Sequence, residues 1–90
     1  MAVLVLVSQE VKDYETWKAS YDANHQIRDE AGMVERFVGR DAKKPNVAHI
    51  GLMAASLDAA NEFLSKPELR DAMSESGVAN APDIRLVLVG

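Results

Sequence analysis

Residues 2–8, Ala2-Val3-Leu4-Val5-Leu6-Val7-Ser8, decide how the rest of the chain is read. The unbroken run of valine and leucine from Val3 to Val7 favours a strand, and it is too short for a buried helix. Val3, Val5 and Val7 make one face, Leu4 and Leu6 the other. Both faces are apolar, so both are expected to be buried and the strand to be central. A second segment, residues 47–55, has the same character. Ala48, Ile50, Leu52 and Ala54 form a wholly apolar face, and Val47, His49, Gly51 and Met53 an apolar face interrupted by one histidine.

The rest of the chain arranges itself around these two strands. Asp13 precedes a run in which Tyr14, Trp17, Tyr21, His25 and Arg28 follow three- and four-residue steps. The spacing predicts one helix over residues 14–31, capped by Asp13, stopped by Gly32 and about 27 Å long at about 1.5 Å per residue. Ser20, Ala23, Ile27 and Ala31 make a neighbouring stripe of mostly small side chains, which lets the helix approach a sheet closely. In residues 33–41, Val34, Arg36, Val38 and Arg40 alternate with Met33, Glu35, Phe37 and Gly39. Charges on both faces suit an edge strand. Asp41-Ala42-Lys43-Lys44-Pro45-Asn46 reads as the hairpin loop to residues 47–55. A second helix runs from Leu57 or Asp58 to Ser65, capped by Ser56 or Asp58, with Ala59, Ala60, Phe63 and Leu64 inward. Pro67 opens a shorter helical segment, residues 67–73, which Gly77 ends. After Pro82, residues 84–89 form the last strand.

The order is β-α-β-β-α-β. Right-handed crossovers around a hairpin give an α+β fold of the ferredoxin-like βαββαβ type: a four-stranded antiparallel sheet with both helices on one face. The first and third strands are central, the second and fourth are edges. Residues 1–90 make one domain. Two helices cover one face of the sheet only. The other would present an apolar patch to water, and the simplest cover is a homodimer packed through the open face of the sheet.

Composition narrows the function. Ninety residues carry ten Lys and Arg against fourteen Asp and Glu, a net charge of −4. That argues against nucleic acid and against an anionic membrane surface as partners. Without cysteine there is no thiolate metal site or thiol nucleophile. No apolar run approaches the roughly 20 residues of a membrane helix, and no leader-like segment opens the chain, so the expected location is cytoplasmic. The two histidines, His25 and His49, are 24 residues apart with no metal-binding spacing, so no metal site and no cofactor are expected. Phosphate-loop, dinucleotide and nucleophile-elbow motifs are absent as well.

The segments from Asp13-Tyr14-Glu15-Thr16-Trp17-Lys18 through Tyr21-Asp22, then Arg28 and Gly32, Lys44-Pro45-Asn46-Val47, and Pro67-Glu68-Leu69-Arg70-Asp71-Ala72-Met73 resemble the dimeric α+β barrel superfamily. Within it, the chain is most similar to small stand-alone proteins related to antibiotic-biosynthesis monooxygenases and polyketide-cyclase-like proteins. The resemblance implies a ferredoxin-like dimer with a pocket between helices and sheet in each subunit. It does not by itself select a reaction. Members include cofactor-free monooxygenases of phenolic substrates, haem-degrading enzymes, chlorite dismutase relatives and muconolactone isomerases, and fold does not fix function.

The candidate site lies on the first helix. In one reading Trp17 is the main core aromatic, Tyr21 its half-buried neighbour, and His25 and Arg28 a solvated end. Truncating Trp17 would then cost about 3–5 kcal/mol. In the other, Trp17 and Tyr21 stack on a planar ligand, His25 is a general acid or base and Arg28 holds an anionic oxygen. His49 is the second catalytic candidate, and Gly51 beside it leaves room for a ligand or a helix. His25 and His49 would meet in one pocket if both faced the helices. Arg36 and Arg40 either close that pocket or protect the sheet edge. Ser74, Ser76 and Asn80 read as polar turn residues. The functional expectation is a cofactor-independent monooxygenase, or a cyclase or isomerase, acting on a small aromatic or polyketide-like molecule. The alternative is a non-catalytic homodimer that binds a small ligand or serves a structural or regulatory role.

Overall fold

Apolar residues at alternate positions turn one side of the central strands into the core. The computed structural model describes residues 2–77 and 79–90. Its elements are β1 (Ala2–Glu10), α1 (Tyr14–Ala23), α2 (His25–Glu30), β2 (Val34–Arg40), β3 (Val47–Ala54), α3 (Leu57–Leu64), α4 (Pro67–Glu75) and β4 (Asp83–Val89). The sheet is antiparallel throughout, in the order β2-β3-β1-β4. The expected α+β ferredoxin-like arrangement is therefore present, with β1 and β3 central. Among the described residues no helix is long and apolar enough to cross a membrane.

The register explains the burial. Val3, Val5, Val7 and Gln9 lie opposite Ala54, Leu52, Ile50 and Ala48, and all eight are buried. Trp17, Tyr21, Ala60 and Phe63 close this core from the helix layer. The other face of β1 departs from expectation. Leu4 and Leu6 are only partly buried, because no helix crosses that side.

The caps follow the sequence. Asp13 Oδ2 accepts hydrogen bonds from the backbone N–H and hydroxyl of Thr16 at 2.9 and 2.7 Å, and these hold its carboxyl below the usual range. Ser56 Oγ accepts from the Ala59 N–H at 3.1 Å, opening α3. Gly32 and Gly77 have φ of +72° and +85°, the left-handed backbone that glycine adopts without cost after a helix end.

Two elements differ from the sequence reading. The helix expected over residues 14–31 is broken at Asn24, which sits at φ −95°, ψ 20° between α1 and α2. Its Nδ2 donates to the Ser20 carbonyl at 2.8 Å. Asparagine offers the backbone such local bonds in place of continued helix. In β2 the alternation fails because the ladder slips between Glu35 and Phe37. A bulge adds one residue and reverses the faces beyond it. Val34 pairs with Met53, and Phe37 with Gly51, on the open side; Glu35 and Val38 pair with Leu52 and Ile50 on the helix side.

Candidate functional site

A cleft lies between the four helices and the helix side of the sheet. With its open mouth it holds about 610 Å³ of empty space. Its walls are mostly apolar, from Val7, Trp17, Ile50, Leu52, Phe63 and Met73. Its polar groups are Gln9, Ser20, Tyr21, Asn24, Arg28 and Ser76.

Three of the residues read from the sequence as ligand-binding meet here. Trp17 and Tyr21 are stacked with ring centroids 5.1 Å apart, as their four-residue spacing on α1 dictates. Arg28, one turn into α2, lays its guanidinium over the Tyr21 ring, 3.7 Å from the centroid. Arg28 is only 9% exposed, and no ion pair reaches it among the described residues. Tyr21 donates its hydroxyl to Glu35 Oε2 at 2.9 Å. Burial, opposed by the Arg28 charge and reinforced by the Glu35 bond, pushes its phenol well above the ordinary value, so Tyr21 stays a neutral donor.

The other predicted residues lie elsewhere. Arg36 occupies the bulge and does not line the cleft. Arg40 stacks over Tyr14 at 4.6 Å and reaches Glu15 at 3.5 Å. His25 faces solvent with its side chain 67% exposed, its Nδ1 2.8 Å from Asp29 Oδ2, and it does not line the cleft. His49 is on the opposite face of the sheet, so the two histidines do not share a pocket.

His49 has its own polar chain. Its Nδ1 is 2.9 Å from Ser8 Oγ and its Nε2 2.6 Å from Asp41 Oδ1. Asp41 also accepts from the backbone N–H of Lys43 and Lys44 at 3.0 and 2.9 Å. The His49 bond, then these two, pull the Asp41 carboxyl down to about 2. An ionised Asp41 can only accept, so His49 Nε2 donates, and in the neutral ring Nδ1 accepts from the Ser8 hydroxyl. Serine, histidine and aspartate thus form a relay, yet Ser8 sits mid-sheet between His49 on β3 and Asp83 on β4. Its neighbouring backbone N–H groups are spent in the ladder and cannot stabilise an oxyanion. Nor is the space above Gly51 free. The Phe37 ring occupies it so closely that a Cβ on Gly51 would come within 2.2 Å of a ring carbon.

The two regions differ in one decisive way. On the open face the polar groups satisfy one another: Ser8 with His49, His49 with Asp41, Arg85 with Asp83 at 3.4 Å. In the cleft Tyr21, Asn24 and Ser76 have partners, but two groups do not. Arg28 has no carboxylate, and Gln9, 4% exposed, has a buried Oε1 without a partner. Gln9 lies just beyond the strand read from residues 2–8. The signal for it was the continued alternation Val3, Val5, Val7, Gln9, which brings a polar residue to an inward position. Among the described residues no group of three or more His, Asp or Glu could hold a metal ion.

The fold and cleft define a ferredoxin-like α+β protein with a largely apolar cleft under its helices. Solved structures with this fold include a proposed antibiotic biosynthesis monooxygenase from Caulobacter crescentus, 18% identical with TM-score 0.74, over 96% of this chain and 87% of that one. SnoaB, a cofactor-independent oxygenase from Streptomyces nogalater, is 13% identical with TM-score 0.80, over 99% and 93% of the chains. An uncharacterised NIPSNAP-like domain protein from Burkholderia xenovorans is 8% identical with TM-score 0.74, over 99% and 85%. The superfamily resemblance read from the sequence thus holds at the level of fold. No protein-family model matches the chain, and no curated protein matches it.

Proposed function

We propose that the cleft binds a small aromatic or polyketide-like molecule and that the protein acts on it as a cofactor-independent monooxygenase. The observation that carries the reading is Arg28. A buried guanidinium stacked on an aromatic ring, without a carboxylate, is a ready partner for an anionic oxygen. In the reaction proposed, one substrate carbon loses two hydrogens and gains one oxygen atom of dioxygen, and the other oxygen atom leaves with those hydrogens as water. The substrate supplies the electrons, and the protein's task is to favour its enolate or phenolate form. Arg28 would do that by pairing with the oxyanion, while Trp17 and Phe63 exclude water around the ring.

No His, Asp or Glu lines the cleft among the described residues. The substrate must therefore be acidic enough to ionise near neutral pH without a side-chain base. The same observation favours the second reading, a binding module without turnover. Oxygen uptake with an anthrone as probe separates the two. Uptake above autoxidation, lost in Arg28→Gln, supports the oxygenase; saturable binding with no uptake supports the binder.

Assembly belongs to the same proposal. Leu4, Leu6, Val34, Phe37, Met53, Val87 and Val89 share the open face, and a second copy packed against it would cover them.

A further inference from the structure

We infer that the Tyr21 hydroxyl is a positioning group that holds the Glu35 carboxylate off Arg28, and so preserves the preference of the cleft for an anionic oxygen. This rests on the reading of Arg28 as an oxyanion partner and adds what keeps that partner free. Two independent observations carry it.

The first is how the acidic residues around Arg28 are engaged. Arg28 lines the cleft and has no ion pair among the described residues. Yet α1, α2 and β2 carry five carboxylates, and each is tied to a different group. Glu15 meets Arg40 at 3.5 Å, Asp22 meets Lys18 at 2.7 Å, Asp29 meets His25 at 2.8 Å and Glu30 accepts from Gln26 at 2.8 Å, all at the exposed surface. Glu35 alone is held by a part-buried bond, from the Tyr21 hydroxyl at 2.9 Å. That hydroxyl stands on the rim of the ring over which Arg28 lies at 3.7 Å. Beyond the effect of burial, the phenol feels both charges, Arg28 drawing its titration down and Glu35 raising it. A carboxylate so placed is within a side-chain rotation of the guanidinium. A pair formed there would occupy the donors that a ligand oxyanion needs.

The second is the β2 bulge. Beyond it, Gly39, Val38 and Phe37 pair with His49, Ile50 and Gly51. An unbroken ladder would next set Arg36 opposite Leu52 on the helix side, and Glu35 opposite Met53 on the open face. The slip between Phe37 and Glu35 sets Glu35 opposite Leu52 instead and leaves Arg36 in the bulge. One extra residue thus exchanges a guanidinium for a carboxylate at the position that meets Tyr21. A guanidinium has no acceptor for the Tyr21 hydrogen, whereas a carboxylate accepts it and is restrained while it does so.

Titration of the full-length protein at pH 7 with 2,4-dinitrophenolate and 1,3-dinitrobenzene tests this, because the two probes differ only in the anionic oxygen. The quantity read is the ratio of the two affinities. The wild-type chain should favour the phenolate about ten-fold, one charge-assisted contact, and Arg28→Gln should abolish the preference. Tyr21→Phe keeps the ring but frees Glu35, so the preference should fall several-fold. Adding Glu35→Gln to Tyr21→Phe should restore it, a rescue that a hydroxyl serving only packing, or touching the ligand itself, would not give. In the ligand-free protein, NMR of the arginine Nε–H groups should show Arg28 exchanging more slowly with water in Tyr21→Phe and recovering in the double variant. A preference kept in Tyr21→Phe, or not restored by the second substitution, overturns the role of the hydroxyl while Arg28 keeps its oxyanion reading. A wild-type chain that binds both probes alike overturns the oxyanion reading and this inference with it. If neither probe binds, the cleft reading falls and the NMR decides the rest: slowed exchange that recovers in the double variant upholds the hold on Glu35, and unchanged exchange refutes it.

Discussion

Gly51 and Phe37 show how one missing Cβ is used on the open face. The Phe37 ring lies where a Gly51 side chain would be, its Cε2 2.2 Å from the ideal Cβ position. Phe37 is 45% exposed, so the ring can swing away rather than force the backbone apart. Gly51→Ala should therefore fold, displace the ring and lose the cross-strand packing, about 0.5–1 kcal/mol. In a Phe37→Ala background the same substitution should cost nothing or stabilise the strand. Urea denaturation of the four proteins gives the coupling, and additive effects would refute the account.

Asp41 gives a prediction of defined sign. In the folded chain its carboxyl is held at about 2, against an ordinary 3.8, first by His49 and then by the Lys43 and Lys44 N–H groups. A depressed carboxylate stabilises the fold above its unfolded value, and that contribution is lost as pH falls through the folded value. Stability should thus decline between about pH 4 and pH 2. Asp41→Asn should flatten part of this decline and leave the part owed to Asp13, which Thr16 holds down in the same direction. Thermal melts across that window check it, and an unchanged acid limb in Asp41→Asn would show that the loop does not hold Asp41 as described.

At the scale of elements, what was legible depended on whether local signals were the only ones acting. Strand and helix order, both caps and the glycine stops follow from residues whose partners lie within four positions, such as Asp13 with Thr16 and Ser56 with Ala59. The Ser56 cap can be measured: Ser56→Ala should cost about 1 kcal/mol in chemical denaturation, because the Ala59 N–H loses its acceptor. The break at Asn24 was not legible, since the apolar spacing runs through it and only the side-chain bond to Ser20 reveals the choice made. The bulge in β2 was hidden for a different reason. Register is settled by the neighbouring strand, and Gly51 of β3 is what admits Phe37 there. The candidate site divides along the same line. Trp17, Tyr21 and Arg28 share a helical face and were found together, whereas Gln9 comes to them from a strand and Arg36 is carried away by the bulge. His25 stood on the right spacing, but α2 turns it to solvent, where it pairs with Asp29.

The whole molecule leaves β4 unfinished. The helices pack over β1 and β3, and every residue of β4 is exposed. Its apolar side chains point both ways: Val87 and Val89 join Leu4 and Ala2 on the open face, while Leu86 and Leu88 lie on the helix side opposite Val5 and Val3. The opposite edge, β2, is interrupted by a bulge and carries Glu35, Arg36 and Arg40, features that discourage strand pairing. From Leu86 to Val89 the β4 edge has no charge, proline or bulge. A partner confined to the open face would leave Leu88, 61% exposed, in water on the other side. The proposed homodimer should therefore wrap the β4 edge as well as cover the sheet. Sedimentation of the wild-type chain should give twice the chain mass, with a melting temperature that rises with concentration. Phe37→Lys on the open face and Leu88→Lys on the helix side of β4 should each shift the protein toward monomer and remove that concentration dependence. A dimer that survives Leu88→Lys but not Phe37→Lys would confine the partner to the open face. A wild-type chain that stays monomeric at high concentration would refute the pairing altogether and leave this apolar strand to some other partner.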